Sequence, residues 1–211
     1  MNKTSMAKAV LCTALLASAF SVSGCFPLVV GGVAMGAAAT ADRRTLGAQT
    51  EDKSITVKAE MRLAKLGGDN GHINIASFNR KVLITGEVPD QATKATAERE
   101  VRAIEGVQSV ANELEIAGPA SYTSRSSDAL VTTKVKASLV EMKTISAASF
   151  KVVTENGTVY LMGRVTQREG DVATDVTKSV AGVQKVVKLF EYITEEELRA
   201  ITPKSMQSTQ L

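Results

Sequence analysis

The stretches KVLITGEV (81–88) and TVYLMGRV (158–165) share one pattern: apolar residues at alternate positions and a glycine in sixth place. Alternation with a period of two is the mark of a strand with one buried face. It points Val82, Ile84 and Val88 in the first copy, and Val159, Leu161 and Val165 in the second, towards a core. The match continues downstream, where IEGVQSV (104–110) returns as VAGVQKV (180–186). Gly86 and Gly163 lie 77 residues apart and Gly106 and Gly182 lie 76 apart, so one unit occurs twice with a single residue inserted or lost.

Working outward, each copy reads helix, strand, strand, helix, strand. The first helices show apolar residues at near-helical spacing, Ile55, Ala59, Leu63 and Leu66 in one copy and Val131, Val135, Leu139 and Met142 in the other. Preceding strands alternate at Ile73 and Ile75, and at Phe150 and Val152. Asn156-Gly157 is a hairpin signal, because a type I′ turn needs two residues of positive φ. Thr166 with Glu169 reads as a capping box for the second helix, and Pro89-Asp90 marks the equivalent start. Gly106 and Gly182 suit the left-handed position that closes a helix. Gly86 and Gly163 lie inside strands, where glycine marks a close backbone approach, and a helix crossing the sheet would account for both. The expected fold is α+β: two tandem αββαβ modules, each a three-stranded sheet with two helices packed on it. The boundaries are 46–117 for module 1, 118–126 for a linker and 127–194 for module 2, then 195–211 for a short helix and tail. Modules of about 70 residues have marginal cores, so packing the two together, or one against a membrane, would add burial.

Residues 1–24 read as a lipoprotein signal peptide. Lys3 and Lys8 supply a positive start, Ala9 to Phe20 is an apolar run, and Ser21-Val22-Ser23-Gly24 is a small-residue approach to Cys25. The run is shorter than the roughly 20 apolar residues a membrane span needs. Val22-Ser23-Gly24-Cys25 resembles the bacterial lipobox, where cleavage before the cysteine leaves it to be lipidated. That resemblance implies an N-acyl group and an S-diacylglycerol on Cys25, and no other cofactor; the competing reading is an ordinary signal with a chance cysteine. Cys12 leaves with the signal, so the mature chain keeps one thiol. A lone thiol in an oxidising compartment invites mispairing, and acylation removes it. Residues 25–45 then form the lipidated N-terminus and a Gly/Ala-rich tether. Its stretch FPLVVGGVAMGAAATA (26–41) mimics a membrane helix, but it is short and Pro27, Gly31, Gly32 and Gly36 weaken a helix.

Of 25 Lys+Arg against 22 Asp+Glu, removing Lys3 and Lys8 leaves a net charge of +1. That is too weak a field to argue for a nucleic-acid partner, and export argues against one too. His72 is the single histidine, so histidine-based metal clusters are excluded apart from one ligand. Glu195-Glu196-Glu197 has the look of a metal site, but Thr194 with Glu197 also makes a capping box for a helix from Glu195 to Ile201. No phosphate-binding glycine loop followed by lysine is present, and the chain is not expected to be an enzyme.

The αββαβ unit with VLITGEV or VYLMGRV and a later Gly-Val turn resembles the BON domain, over roughly residues 46–194. A lipobox, a Gly/Ala-rich tether, the Arg44 to Gln49 stretch and tandem modules together resemble the DolP/YraP group of outer-membrane lipoproteins. LVTTKVKASL (130–139) and VTENGTVYLMGRVTQREG (153–170) are especially close. The resemblance implies a periplasm-facing, lipid-anchored protein of the outer membrane that binds anionic phospholipid and supports envelope integrity. It also implies contact with the outer-membrane protein assembly machinery. Phe26, rather than the aspartate linked to inner-membrane retention, follows Cys25.

In that group the first helix of the second module carries the lipid contact. At 100° per residue, Leu130, Lys134, Ala137 and Glu141 share one face with Thr133 beside it, and Val140 and Lys136 flank it. Val131, Val135, Ser138 and Met142 lie about a third of a turn away, towards the core. The candidate lipid-binding residues are therefore Leu130, Thr133, Lys134, Lys136, Ala137 and Val140. One departure is that the group's interfacial aromatic is replaced by Leu130. The plainer alternative is an amphipathic helix with a solvated lysine face. A different function class fits as well: a protein–protein adaptor whose sheet faces or edges recruit envelope machinery, with incidental lipid contact.

Overall fold

A computed structural model describes residues 42–66, 68 and 71–201. The signal peptide, Cys25, the tether to residue 41 and the tail from 202 lie outside the described residues. Module 1 runs α1 (Leu46–Leu63), β1 (His72–Phe78), β2 (Lys81–Val88), α2 (Gln91–Arg102), β3 (Ser109–Asn112) and β4 (Glu115–Ile116). Module 2 runs α3 (Tyr122–Glu141), a 3₁₀ turn at Ala147–Ser149, β5 (Phe150–Glu155), β6 (Thr158–Val165), α4 (Gln167–Lys178) and β7 (Lys185–Tyr192). A short α5 (Glu195–Ile201) follows. In both modules a hairpin pairs antiparallel, and the second helix returns the chain to lie parallel to the middle strand. The third strand of module 1 is broken, with Leu114 buried between β3 and β4, whereas β7 is continuous.

The helix starts follow their caps. Asp90 accepts from the Thr93 amide, and Thr166 and Glu169 close a reciprocal capping box. Thr194 and Glu197 do the same for α5. Two expectations shift. First, α3 begins at Tyr122, capped by Ser121, so the second half of the stretch read as linker (118–126) is its first turn. Second, α2 and α4 end at Arg102 and Lys178 with right-handed caps at Ala103 and Ser179. Gly106 and Gly182, at φ +90° and +100°, therefore turn the chain three residues beyond those caps.

The strand glycines have a different cause from the expected helix crossing. A Cβ on Gly86 would fall on the carbonyl oxygen of His72 in the neighbouring strand, and one on Gly163 would lie 2.6 Å from the Ser149 carbonyl oxygen. Backbone at the start of the partner strand, not a helix, demands the glycine.

Each middle strand is buried on both faces. On one face Val82, Ile84 and Val88 pack with Ile55, Ala59 and Leu63 of α1 and with Ala97 and Val101 of α2. Val159, Leu161 and Val165 pack likewise with Val131, Val135 and Leu139 of α3 and with Ala173 of α4. On the other face Ala76, Phe78 and Leu83 of module 1 meet Tyr160 and Met162 of module 2. The two sheets thus pack face to face and the helices form the outer layers. Polar groups seal the rim: Asn74 Nδ2 and Thr85 Oγ1 donate to Glu155 at 2.7 and 3.1 Å, and Lys151 Nζ donates to the Ser77 carbonyl at 3.0 Å. Asn156 Nδ2 donates to Glu87 at 2.8 Å. This packing is the added burial that modules of this size need, and it withdraws the sheet faces from any adaptor role.

The end of the expected tether (25–45) also belongs to the fold. Arg43 makes a bidentate pair with Glu169 at 2.7 and 2.7 Å and donates to the Arg164 carbonyl. Arg44 bridges Asp42 and Asp52 and lies over the Phe78 ring, 4.3 Å from its centroid.

Both hairpin turns are held by an aspartate one repeat apart. Asp52 of α1 accepts from Ser77 Oγ at 2.6 Å, the Asn79 and Arg80 amides at 2.7 and 2.8 Å, and Arg44 at 2.8 Å. Asp128 of α3 accepts from the Asn156 and Gly157 amides, both at 2.9 Å. Burial alone would raise the pKa of Asp52, but these bonds outweigh it and hold its carboxyl below the usual range. For Glu169, burial is likewise outweighed, by Arg43 and the Thr166 amide. A carboxylate whose folded pKa is depressed stabilises fully above its unfolded value, about 3.9 for Asp and 4.3 for Glu, and that stability is lost as pH falls through the folded value. Thermal unfolding followed by circular dichroism should therefore give a level midpoint from about pH 7 to 5 and a falling one below about pH 4.5. Glu169→Gln should flatten part of that fall; an equally steep fall in the variant would remove Glu169 from the account.

Candidate interface helix

The site is the outward side of α3, which the sheet-to-sheet packing leaves facing away from module 1. Its inward side is set by Val131, Val135 and Leu139, all buried, with Asp128 reaching the hairpin turn. Leu139 fills the place between Val135 and Met142, whereas Ser138, expected on the core side, is only half-buried.

All six candidate lipid-binding residues, Leu130, Thr133, Lys134, Lys136, Ala137 and Val140, are exposed. Leu130 is 56 % and Val140 70 % exposed, large values for branched apolar side chains on a helix with a well-packed opposite face. Sequence reasoning missed Tyr122, which is 87 % exposed at the start of the helix. Eighteen residues make five full turns, so Tyr122 and Val140 stand on the same line, with Ala129 and Thr133 within about 20° of it. The signal was available in the repeat: α1 begins at Leu46, and the offset of 76 residues leads to Tyr122.

Hydroxyls on this side are turned back onto the helix. Ser126 Oγ donates to the Tyr122 carbonyl at 2.9 Å and Thr133 Oγ1 to the Ala129 carbonyl at 3.0 Å. What remains outward is an apolar stripe of Tyr122, Ala129, Leu130, Ala137 and Val140. Lys136 lies on one edge and Lys134 on the other, at about −40° and +120° from the Tyr122 line. Neither lysine is ion-paired among the described residues. The Arg125 guanidinium sits 5.7 Å from the Tyr122 ring centroid, adding a third positive group at the N-terminal end.

Such a helix can lie in an interface plane with its stripe buried and its lysines reaching up to phosphates. No helix of the described residues is long and apolar enough to cross a membrane. Among the described residues no group of three or more His, Cys, Asp or Glu side chains is placed to hold a metal ion.

The family model for the BON domain matches twice, at residues 51–118 and 127–194. Outer membrane lipoprotein DolP of Haemophilus influenzae is 36 % identical over 181 residues, covering 85 % of this chain and 94 % of that protein. A 21 kDa hemolysin of Actinobacillus pleuropneumoniae is 30 % identical over 154 residues, or 72 % of this chain and 79 % of its own length. Osmotically-inducible protein Y of Escherichia coli is 30 % identical over 142 residues, covering 64 % of this chain and 70 % of that protein.

Proposed function

We propose, given that this chain belongs to the BON-domain family and carries two copies of the domain, that it is an outer-membrane lipoprotein reading anionic phospholipid through α3 of module 2 and supporting envelope integrity. Anchorage is through acyl groups on Cys25, and no enzymatic step is involved. The observation that carries this reading is the exposed stripe from Tyr122 to Val140 with lysines on both edges that have no ion pair among the described residues. Burying one leucine side chain is worth roughly 1.5–3 kcal/mol, and each lysine near an anionic surface about 1 kcal/mol. Tyr122 suits the headgroup level, where an aromatic body meets a polar tip. The sum is a weak contact, effective once acyl chains have already brought the module to the surface.

The second reading, a protein adaptor for the outer-membrane assembly machinery, loses the sheet faces to the module interface and retains only edges and outer helices.

The test is local to α3. An environment-sensitive dye is placed through Ala137→Cys on the mature chain with Cys25→Ser. Its emission should shift to the blue with phosphatidylglycerol vesicles and stay unchanged with phosphatidylcholine vesicles. Leu130→Glu should weaken the apparent vesicle affinity at this probe by roughly tenfold or more, since each 1.4 kcal/mol is a factor of ten. An unchanged titration in Leu130→Glu would sink the site, and no shift with either lipid would move the function to the adaptor reading.

A further inference from the structure

We infer that the outward side of α1 in module 1 is a second anionic-bilayer contact, on the opposite side of the molecule from α3, so that one protein can hold two bilayers together. The inference rests on the same reading of α3 as a lipid contact, and it comes from three observations.

The first is an apolar stripe where a soluble module has no use for one. Leu46 is 73 %, Val57 52 % and Met61 67 % exposed on α1. At 100° per residue Val57 and Met61 lie about 20° and 60° from the Leu46 line, and exposed Ala64 lies on it. Thr50, between them, donates its hydroxyl to the Leu46 carbonyl at 2.9 Å, as Ser126 does to Tyr122.

The second is charge. Lys53 stands on one side of this stripe and Lys58 and Lys65 on the other, with Glu60 the one acid on the face; all are exposed. None of the three lysines is ion-paired among the described residues. Three lysines against one glutamate equal the balance on α3, where Lys134, Lys136 and Arg125 stand against Glu141. An anionic lipid surface complements both.

The third is position. With the sheets packed face to face, α1 and α3 occupy opposite outer layers of a four-layer stack. At about 10 Å per layer, the stack is roughly 40 Å thick, so a flat bilayer touching one stripe cannot touch the other. Each face therefore takes its own membrane.

The described residues begin at Asp42, so the chain from residue 25 contains all of them. That chain, with Cys25→Ser so that no acyl group contributes, is mixed with phosphatidylglycerol vesicles, and clustering is followed by light scattering and by energy transfer between two dye-labelled vesicle populations. Wild type should cluster vesicles. The double change Val57→Glu, Met61→Glu should cut clustering at least tenfold while the Ala137 probe on α3 still reports binding. Leu130→Glu should also cut clustering, because bridging needs both faces. Lys53→Glu with Lys58→Glu is the second variant and should act in the same direction. All these positions are exposed, and an unchanged circular dichroism melt checks that each variant is folded. If the α3 probe responds but wild type does not cluster, or if the α1 variants cluster as well as wild type, the second contact is wrong and the α3 reading stands. If instead Met61→Glu abolishes a concentration-dependent self-association, α1 is a contact between copies of this chain and the bilayer proposal falls. A silent α3 probe would overturn the reading on which both rest.

Discussion

Gly86→Ala is expected to lower the thermal midpoint by roughly 10–20 °C, following a loss of about 5 kcal/mol at 2–4 °C for each kcal/mol in a chain of this size. Two costs combine. Gly86 sits at φ +109°, a conformation that costs an L side chain of order 1–3 kcal/mol. In addition, the new Cβ would land on the backbone carbonyl of His72, which is fixed in β1 beside it, where Ile73 pairs with Gly86. A backbone oxygen cannot rotate aside as a side chain can, so the β1–β2 hairpin must open. Gly163→Ala meets the second cost alone: its Cβ would lie 2.6 Å from the Ser149 carbonyl, where the 3₁₀ turn enters β5. Its loss should be about half as large. Differential scanning calorimetry of both variants checks the pair; equal midpoints, or a Gly86→Ala protein within a few degrees of wild type, would show that β1 can shift and that the close approach is not what requires glycine.

These glycines also show where a sequence stops being readable. The two copies of the middle strand announced the modules, because period-two alternation and the 77-residue spacing are local properties of the chain. The caps at Asp90, Thr166 and Thr194 were equally local and were found in place. What lay beyond reach was the identity of the neighbour. Leu83, Tyr160 and Met162 read as the outward half of each strand, and only the other module's sheet, a distant stretch of chain, turns them into core. The carboxylates of Asp52 and Asp128 gave no pattern, since one acid on a helix is ordinary until it is seen against the hairpin turn. On the site, the outward placing of Leu130 and the lysines followed from helical geometry alone. Tyr122 was lost because residues 118–126, with Gly118, Pro119 and three serines, read as linker, although the repeat offset from Leu46 marks it as helix.

Asp52→Ala should destabilise the protein by about 3–5 kcal/mol and Asp128→Ala by about 2–3 kcal/mol, read as shifts in urea unfolding. The difference follows from what each carboxylate holds. Removing Asp52 strands the Ser77 hydroxyl, the Asn79 and Arg80 amides and one arm of Arg44, which then keeps Asp42 and the Phe78 ring. Removing Asp128 strands only the Asn156 and Gly157 amides, and Gly157 tolerates its positive φ without help. In module 1 the same turn is made by Asn79 and Arg80 at φ +48° and +64°, neither of them glycine, so Asp52 must also offset the cost of that turn. Arg80→Gly should therefore recover part of the Asp52→Ala loss by relieving the turn, whereas its effect on wild type should be smaller, because there Asp52 already holds the Asn79 and Arg80 amides in the turn; the pair with Glu51 is lost in both backgrounds. A double-mutant cycle between positions 52 and 80 measures this. A coupling energy near zero, or a larger loss for Asp128→Ala than for Asp52→Ala, would mean that the turns hold themselves and that the carboxylates are passengers of the helices.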